Sequence, residues 1–273
     1  MNIIGINAFH ADSAACIVID GKLIAAVEEE RFNRIKHWAG FPIKSIKHCL
    51  SVTGLKISEI DHISINIDPK ANYLKKIFFL FKHRPSLNLI LNRIRKKKKY
   101  NSIEEIINSE FKDDKFNGRI NNIEHHYAHL SSAFHVSPYE EACVLSVDGF
   151  GDFASTAWGY GKKNLITIDK KIYFPHSLGI FYQAITQFLG FKNYGDEYKV
   201  MGLASYGKPK YIEEFSSLIK YDSKDYFKLN LNYFTHHNNP NFSFKFKDGI
   251  PYFENLFNEN FYSLFGENFK SKT

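Results

Sequence analysis

Cysteine is scarce in this chain of 273 residues: Cys16, Cys49 and Cys143 are far apart, odd in number and without metal-ligand spacing. That excludes a disulfide-stapled scaffold and leaves reduced thiols, the buried ones inert, as the expectation. No apolar run approaches the ~20 residues a membrane helix needs. The first residues alternate as a strand does and lack the basic segment and long apolar stretch of a signal peptide, so a cytoplasmic protein with no membrane partner is expected. No two glycines are adjacent anywhere. With 44% hydrophobic residues there is ample material for a core, which excludes wholesale disorder, and the length suits one large domain or two small ones.

Acidic residues are missing from one stretch. Residues 70–100 contain eleven Lys and Arg and no Asp or Glu, more than the whole net charge of +7, so the remainder of the chain is net acidic. The basicity is therefore local, centred on the run from Arg93 to Lys99, and a nucleic-acid partner is not expected for the protein as a whole. Leu74, Ile77, Phe78 and Phe81 recur at helical spacing and predict one or two amphipathic helices inserted at about residues 70–118. Such a run is most simply a solvated face; a patch for an anionic substrate, RNA or a membrane surface is the alternative.

The rest is patterned. Residues 2–9, 13–20 and 22–28 read as strands, with Asp20-Gly21 as a two-residue hairpin turn. Residues 42–53 have helical periodicity with Gly54 in the stop position, and 62–67 is β-rich. Residues 124–136 read as a helix ending before Pro138. The strand pattern then recurs at 141–148, 154–160 and 165–173, followed by a helix at 178–189. Three antiparallel strands and a helix thus occur twice, which predicts two similar lobes, 1–138 and 139–273, with ligands at strand ends between them. From about Lys220 the periodicity weakens and an irregular tail is expected, with 253–269 as a candidate last helix.

Glu124-His125-His126-Tyr127-Ala128-His129 carries the sharpest chemistry. On a helix His125 and His129 are i and i+4 neighbours and can converge on one ion, while His126 points elsewhere. A third ligand has to come from another element. Asp148, ending the strand that follows, is the candidate, with Gly149 and Gly151 letting the backbone turn and approach a ligand. Two nitrogens and a carboxylate suit Fe(II), Zn(II) or Mn(II) with open positions; a histidine pair alone also occurs on ordinary exposed helices. The turn His10-Ala11-Asp12-Ser13 can offer N–H groups to an anion and a histidine to a hydroxyl proton, or be a plain polar turn. Glu30, Arg31, Arg34 and Lys36 suit either an anion cleft or a salt-bridged surface loop. Residues 193–207 read as a glycine-punctuated loop bearing Asp196, Glu197 and Lys199, of the kind that frames sites.

The segments GINAFHADSAA, VEEERFNRIKH, EHHYAHLSSAF, LSVDGFGD, SLGIFYQAITQFLGF and GDEYKVMGLASYGKP, in this order from Asn2 to about Pro209, resemble the amino-terminal part of the O-carbamoyltransferases that decorate nodulation factors, antibiotics and surface sugars. The resemblance implies an α/β, actin-like ATPase (RNase H-like) two-lobed fold, first lobe complete and second lobe partial. It implies transfer of a carbamoyl group from carbamoyl-adenylate, itself derived from carbamoyl phosphate and ATP, to a hydroxyl of a small-molecule or glycan acceptor. It maps the metal ligands onto His125, His129 and Asp148, with iron as the ion, and the histidine of the first-strand turn onto His10. Asp12, Ser13, Gly149, Gly151 and Lys199 are then expected beside the nucleotide-bearing substrate. The family is about twice this long, and its nucleotide loop, with a Gly-Gly pair, belongs to the missing part. A second polypeptide supplying that half is therefore expected, and the incomplete lobe should leave an apolar face unburied. The alternatives are a non-catalytic remnant that acts as a binding protein and a relative of the enzymes that make threonylcarbamoyladenosine in tRNA.

Overall fold

Isoleucines at alternate positions build the first sheet. In β1 (Asn2–Asn7) Ile4 and Ile6 point into the core, as Ile17 does from β2 (Ala14–Ile19) and Ile63 and Ile65 from β4 (His62–Ile65). With β3 (Lys22–Glu28) and β5 (Arg119–Asn122) the strands lie in the order β3-β2-β1-β4-β5. The β1–β2 and β2–β3 pairs are antiparallel, β1–β4 and β4–β5 parallel. Among the helices around this sheet, α1 (Glu30–Asn33) is a single turn. Helix α2 (Ile43–Thr53) packs Ile46, Cys49 and Leu50 inward and stops at Gly54, whose φ of 70° is the left-handed end a helix favours. The computed structural model describes residues 1–83, 103–223, 226–239, 245–247 and 250–266.

One charge is buried in this unit. Glu29 is 3% exposed, and its carboxylate accepts the Lys44 N–H at 3.1 Å, the Ser45 N–H at 2.8 Å and the Ser45 hydroxyl at 2.7 Å. Three donors and the positive end of α2 compensate the lost hydration, so the residue leaving β3 pins the first turn of α2 through amides fifteen and sixteen positions on.

The second unit repeats the motif. Strands β6 (Glu141–Gly151), β7 (Ala154–Lys162) and β8 (Leu165–Tyr173) form an antiparallel sheet in that order. Two further helices precede it in sequence, α3 (Tyr73–His83) and α4 (Ile103–Glu110), followed by α5 (His125–Phe134). Leu130 and Phe134 of α5 pack on Val144, Ala157 and Ile166. Helix α6 (Leu178–Phe188) is capped by Ser177, whose hydroxyl accepts the Ile180 N–H. After α6 come α7 (Glu197–Ala204), α8 (Ile212–Leu218), the hairpin of β9 (Ile219–Asp222) and β10 (Tyr226–Leu229), and α9 (Asn260–Phe265).

Several expectations need correction. The units do not divide at residue 138. Met1–Pro69, Ser86–Glu124 and Lys245–Pro251 form one, and Lys70–Pro85, His125–Phe244 and Tyr252–Thr273 the other, because α5 packs on β6 to β8. The 70–118 segment is not one insertion. Phe79 of α3 packs edge-on against Phe153 and Phe174 in the second unit, whereas Ile103 and Ile107 of α4 belong to the first core. On α3 it is Phe79 that is buried, while Leu74, Phe78 and Phe81 are exposed; Arg93 to Lys99 lies outside the described residues. The tail after Lys220 has short elements joined by turns among the described residues, and it is packed: Leu229, Phe234, Leu256, Phe257 and Phe261 complete a core with Ile180, Ala184 and Phe188. Its aromatics enter that core from turns and short elements, so no helical or strand period marks them. The final helix is confined to Asn260–Phe265 among the described residues.

All three cysteines are free, and burial, followed by the neighbouring Cys16, pushes the Cys49 thiol up to about 11. No helix among the described residues is long and apolar enough to cross a membrane. Replacing Glu29 by Ala strands three donors at the start of α2. The Glu29→Ala variant is expected to lose about 1–3 kcal/mol in urea unfolding, against under ~0.5 kcal/mol for the exposed Lys22→Ala.

Candidate functional site

The second unit gathers the histidine helix and the end of β6. His125 and His129 occupy the first two turns of α5, where the i, i+4 spacing stacks them on one face. Asp148 lies seven residues into β6. His125 Nε2 is 2.8 Å from Asp148 Oδ2 and 3.0 Å from His129 Nε2, and His129 Nε2 is 3.9 Å from Asp148 Oδ2. Two bonds of ~2.1 Å meeting at roughly 90–110° hold donor atoms about 3.0–3.4 Å apart, so this donor set fits a small transition-metal ion with minor adjustment. His125 is buried, Asp148 half-buried and His129 exposed, leaving one open flank. His126 faces the other way, fully buried with Nδ1 2.9 Å from the Ser146 hydroxyl.

The support around these three groups is dense. Ser177 donates its hydroxyl to the Asp148 carbonyl at 2.9 Å. A Cβ on Gly179, at the start of α6, would stand 2.6 Å from the Asp148 carbonyl carbon, so the glycine lets that helix press on the strand end. A Cβ on Gly151 would stand 2.0 Å from the His125 ring, so the missing side chain there is the space the imidazole fills. The turn joining β6 to β7 has both central residues at positive φ, Asp152 at 48° and Phe153 at 76°, as a tight hairpin requires. Its Asp152 carboxylate accepts the His125 backbone N–H at 2.9 Å and caps α5 from 27 residues away. Asp152 and Ser177 have no assigned role in the sequence reading. The former stands in the quoted Asp148-Gly-Phe-Gly-Asp152 run, but its bond to α5 is visible only in three dimensions.

Burial by itself would raise the Asp148 carboxyl. The bond to His125, the attraction of that ring, the Gly149 N–H at 2.6 Å and the pull of His129 outweigh it and hold the carboxyl well below the usual carboxylate range. The balance of these interactions favours the ionised carboxylate.

The other expected site residues are divided between the two units. His10, Asp12 and Ser13 belong to the first unit, in the turn between β1 and β2. Ser13 is 1% exposed and both of its donors are committed: its N–H to the Trp38 carbonyl at 2.9 Å and its hydroxyl to the Gly40 carbonyl at 2.6 Å. It ties its turn to the loop carrying Trp38 and Gly40. Asp12 lies 2.8 Å from His37 Nδ1, and Glu30 accepts the His37 N–H at 3.0 Å with the Arg31 guanidinium 3.8 Å away. Asp12, Glu30 and His37 form a second His–carboxylate cluster, which joins the salt-bridged loop to the turn. Gly149 has open space where a Cβ would go, and Gly151 serves the His125 ring; neither adopts a left-handed φ. Residues 197–204 form helix α7 in place of the expected loop, and Lys199 Nζ sits 2.6 Å from the buried Asp196.

Because the folded-state carboxyl of Asp148 is depressed, its stabilising effect is complete above the unfolded value of ~3.9 and disappears as pH falls through the lower folded value. The stability gap between wild type and Asp148→Asn, read by chemical unfolding, should be widest above about pH 5 and narrow on acidification below about pH 4. Asp152→Ala should cost about 0.5–2 kcal/mol at pH 7 through the lost cap on α5. A gap between wild type and Asp148→Asn that stays the same at every pH would remove the role given to Asp148.

Relatives carry the same region. The chain is 38% identical over 253 residues to "Uncharacterized protein sll1178" of Synechocystis, covering 86% of this chain and 40% of that protein. It is 38% identical over 215 residues to "Nodulation protein NolNO" of Sinorhizobium fredii, covering 74% of this chain and 29% of that one. It thus spans less than half the length of either relative. Among solved structures it is similar to YeaZ from Pseudomonas aeruginosa, with 8% identity, a TM-score of 0.35 and coverage of 64% of this chain and 69% of that one. Residues 2–259 match the family model described as carbamoyltransferase N-terminus, and the chain belongs to that family.

Proposed function

We propose that this chain is the amino-terminal portion of an O-carbamoyltransferase, holding a divalent metal, iron by preference, on His125, His129 and Asp148, and moving a carbamoyl group from carbamoyl-adenylate to a hydroxyl of a sugar or natural product. The observation that carries the reading is the approach of the three donor atoms within a span of 3.9 Å in a member of the carbamoyltransferase family. An N₂O set with an open flank is the donor chemistry that suits Fe(II).

In transfer, the acceptor oxygen bonds to the carbamoyl carbon, the bond from that carbon to the phosphate oxygen breaks, and AMP departs with the electron pair. A bound divalent ion would supply Lewis-acid stabilisation of negative charge on the phosphate. The chain's own groups prepare for it. The Asp148 carboxyl is biased to its ionised form, and His125 has to present an unprotonated Nε2 to act as a ligand, so metal uptake weakens as pH falls. Gly151 and Asp152 fix the His125 ring and the start of α5, which preorganises the donor set. His10 takes the acceptor's proton. AMP is a good leaving group, so catalysis rests on positioning and charge stabilisation.

The test uses the full chain. After incubation with Fe(II) under anaerobic conditions and desalting, elemental analysis should find about one iron per chain, and close to none in a His125→Ala/His129→Ala double variant. Equal iron in both rejects the site. With the carboxy-terminal remainder of a longer relative added, AMP release from carbamoyl-adenylate should depend on a hydroxyl acceptor. His10→Asn should slow it by about 10²-fold or more while leaving iron content unchanged. A variant that keeps its full rate removes His10 from the proton transfer.

A further inference from the structure

A surface helix ordinarily buries its apolar stripe and shows its charges to water. Helix α3 does the reverse. At about 100° per residue, Leu74, Ile77, Phe78 and Phe81 share one face of it. That face looks outward: Leu74 is 79% exposed, Phe78 64% and Phe81 80%, with Ile77 partly exposed between them. Tyr73, in the first turn, is exposed as well, whereas Phe79 on the opposite side is buried.

Contacts on the inner side fix this orientation. Phe79 meets Phe153 and Phe174 edge-on at 5.6 and 5.0 Å, and the Lys75 ammonium lies 5.2 Å from the centre of the Tyr173 ring. Just before the helix Asn72, at a φ of 54°, donates its side-chain N–H to the Asp152 carbonyl at 2.8 Å. Rolling α3 to bury the stripe would break all of these. Charge around the stripe has one sign. Lys75 and Lys76 fall on its two flanks by helical spacing, and residues 70–100 hold eleven Lys and Arg without a single Asp or Glu.

From this inverted amphipathicity we infer that α3 is a docking surface for an anionic lipid bilayer. The helix lies along the interface with Leu74, Ile77, Phe78 and Phe81 at the acyl boundary and its lysines among the headgroups. The occupant follows from two observations. A contiguous exposed apolar stripe calls for a partner that removes it from water, and the one-signed charge around it selects a negative surface. With eleven residues the helix is about 16 Å long, too short to cross a bilayer and suited to lying on one. A phosphate backbone such as that of RNA is met by cations on the contact face itself, whereas the centre of this face is aliphatic and aromatic. The inference is independent of the metal reading. Because Asn72 and Phe79 tie α3 to Asp152 and Phe153, a docked helix holds the β6–β7 turn, and with it the start of α5, beside the bilayer.

The probe is a vesicle of equal parts phosphatidylcholine and phosphatidylglycerol, with pure phosphatidylcholine vesicles as the reference. In co-sedimentation the full chain should bind the mixed vesicles at least about tenfold more tightly than the reference. Raising salt from ~0.1 M to ~0.5 M should weaken that binding by at least about tenfold. Phe78→Gln/Phe81→Gln, at two exposed positions, should weaken it by at least about tenfold with an unchanged circular dichroism spectrum. Leu165→Gln, equally exposed but on β8, should leave it unchanged. In Phe81→Trp the added indole should shift its emission to shorter wavelength on vesicles and be quenched by brominated acyl chains, over the background of Trp38 and Trp158. The His125→Ala/His129→Ala variant should bind vesicles as wild type does, so failure of the metal reading and failure of this one are separable. No binding, equal affinity for both vesicles, indifference to Phe78 and Phe81, or an unquenched indole would overturn the inference. So would tighter binding of single-stranded RNA through the same two residues, or self-association of the chain that Phe78→Gln/Phe81→Gln abolishes.

Discussion

Five residues of backbone, from Asp148 to Asp152, carry the candidate site. The Asp148 carboxylate meets His125, its carbonyl takes the Ser177 hydroxyl, the Gly151 position is filled by the His125 ring, and the Asp152 carboxylate holds the first amide of α5. Two helices that start 53 residues apart are thereby referred to one strand end. Any shift in that turn moves the histidine helix and the carboxylate together. The constraint explains why a bulky residue, Phe153, sits at a φ of 76°: its ring is held against Phe79 and Phe174, and the packing offsets the backbone cost.

The first unit uses the same physical device for a structural purpose. Glu29 brings a buried carboxylate to the start of α2, just as Asp152 brings one to the start of α5. In both cases an acidic group at a strand end satisfies amides that a helix cannot satisfy by itself. A carboxylate is the suitable group because it accepts several hydrogen bonds and is drawn by the positive end of the helix dipole. The difference lies in what remains available. Three donors of the protein surround Glu29, whereas Asp148, with its side chain 32% exposed, stands beside two imidazoles.

Repetition of the motif also shows where the two units differ. The parallel strand β4 protects β1, and the corresponding place beside β6 is uncovered among the described residues. The aromatic cluster of Phe188, Phe234, Phe257 and Phe261 closes the far side of α6. It gives the second unit a core of its own, so a carboxy-terminal segment without visible periodicity contributes to packing through well-separated single aromatics.

The sequence by itself determined the elements and the chemistry offered. Alternating isoleucines, the Asp20-Gly21 turn and the Gly54 stop mark strands and helix end where they occur, and the i, i+4 histidines with Asp148 mark three side chains whose donor atoms come together. These features are local, since periodicity, turn conformation and helical spacing act over a few residues. Tertiary structure alone decided that α5 belongs with the second sheet, that Phe79 and not Phe78 or Phe81 enters the core, and that Ser13 is spent on the Gly40 carbonyl. It also decided that Asp152 and Glu29 cap helices far along the chain. Those outcomes depend on which surfaces meet after the elements form, and a carboxylate fifteen or twenty-seven residues from its partner leaves no periodic trace for a reader of the sequence.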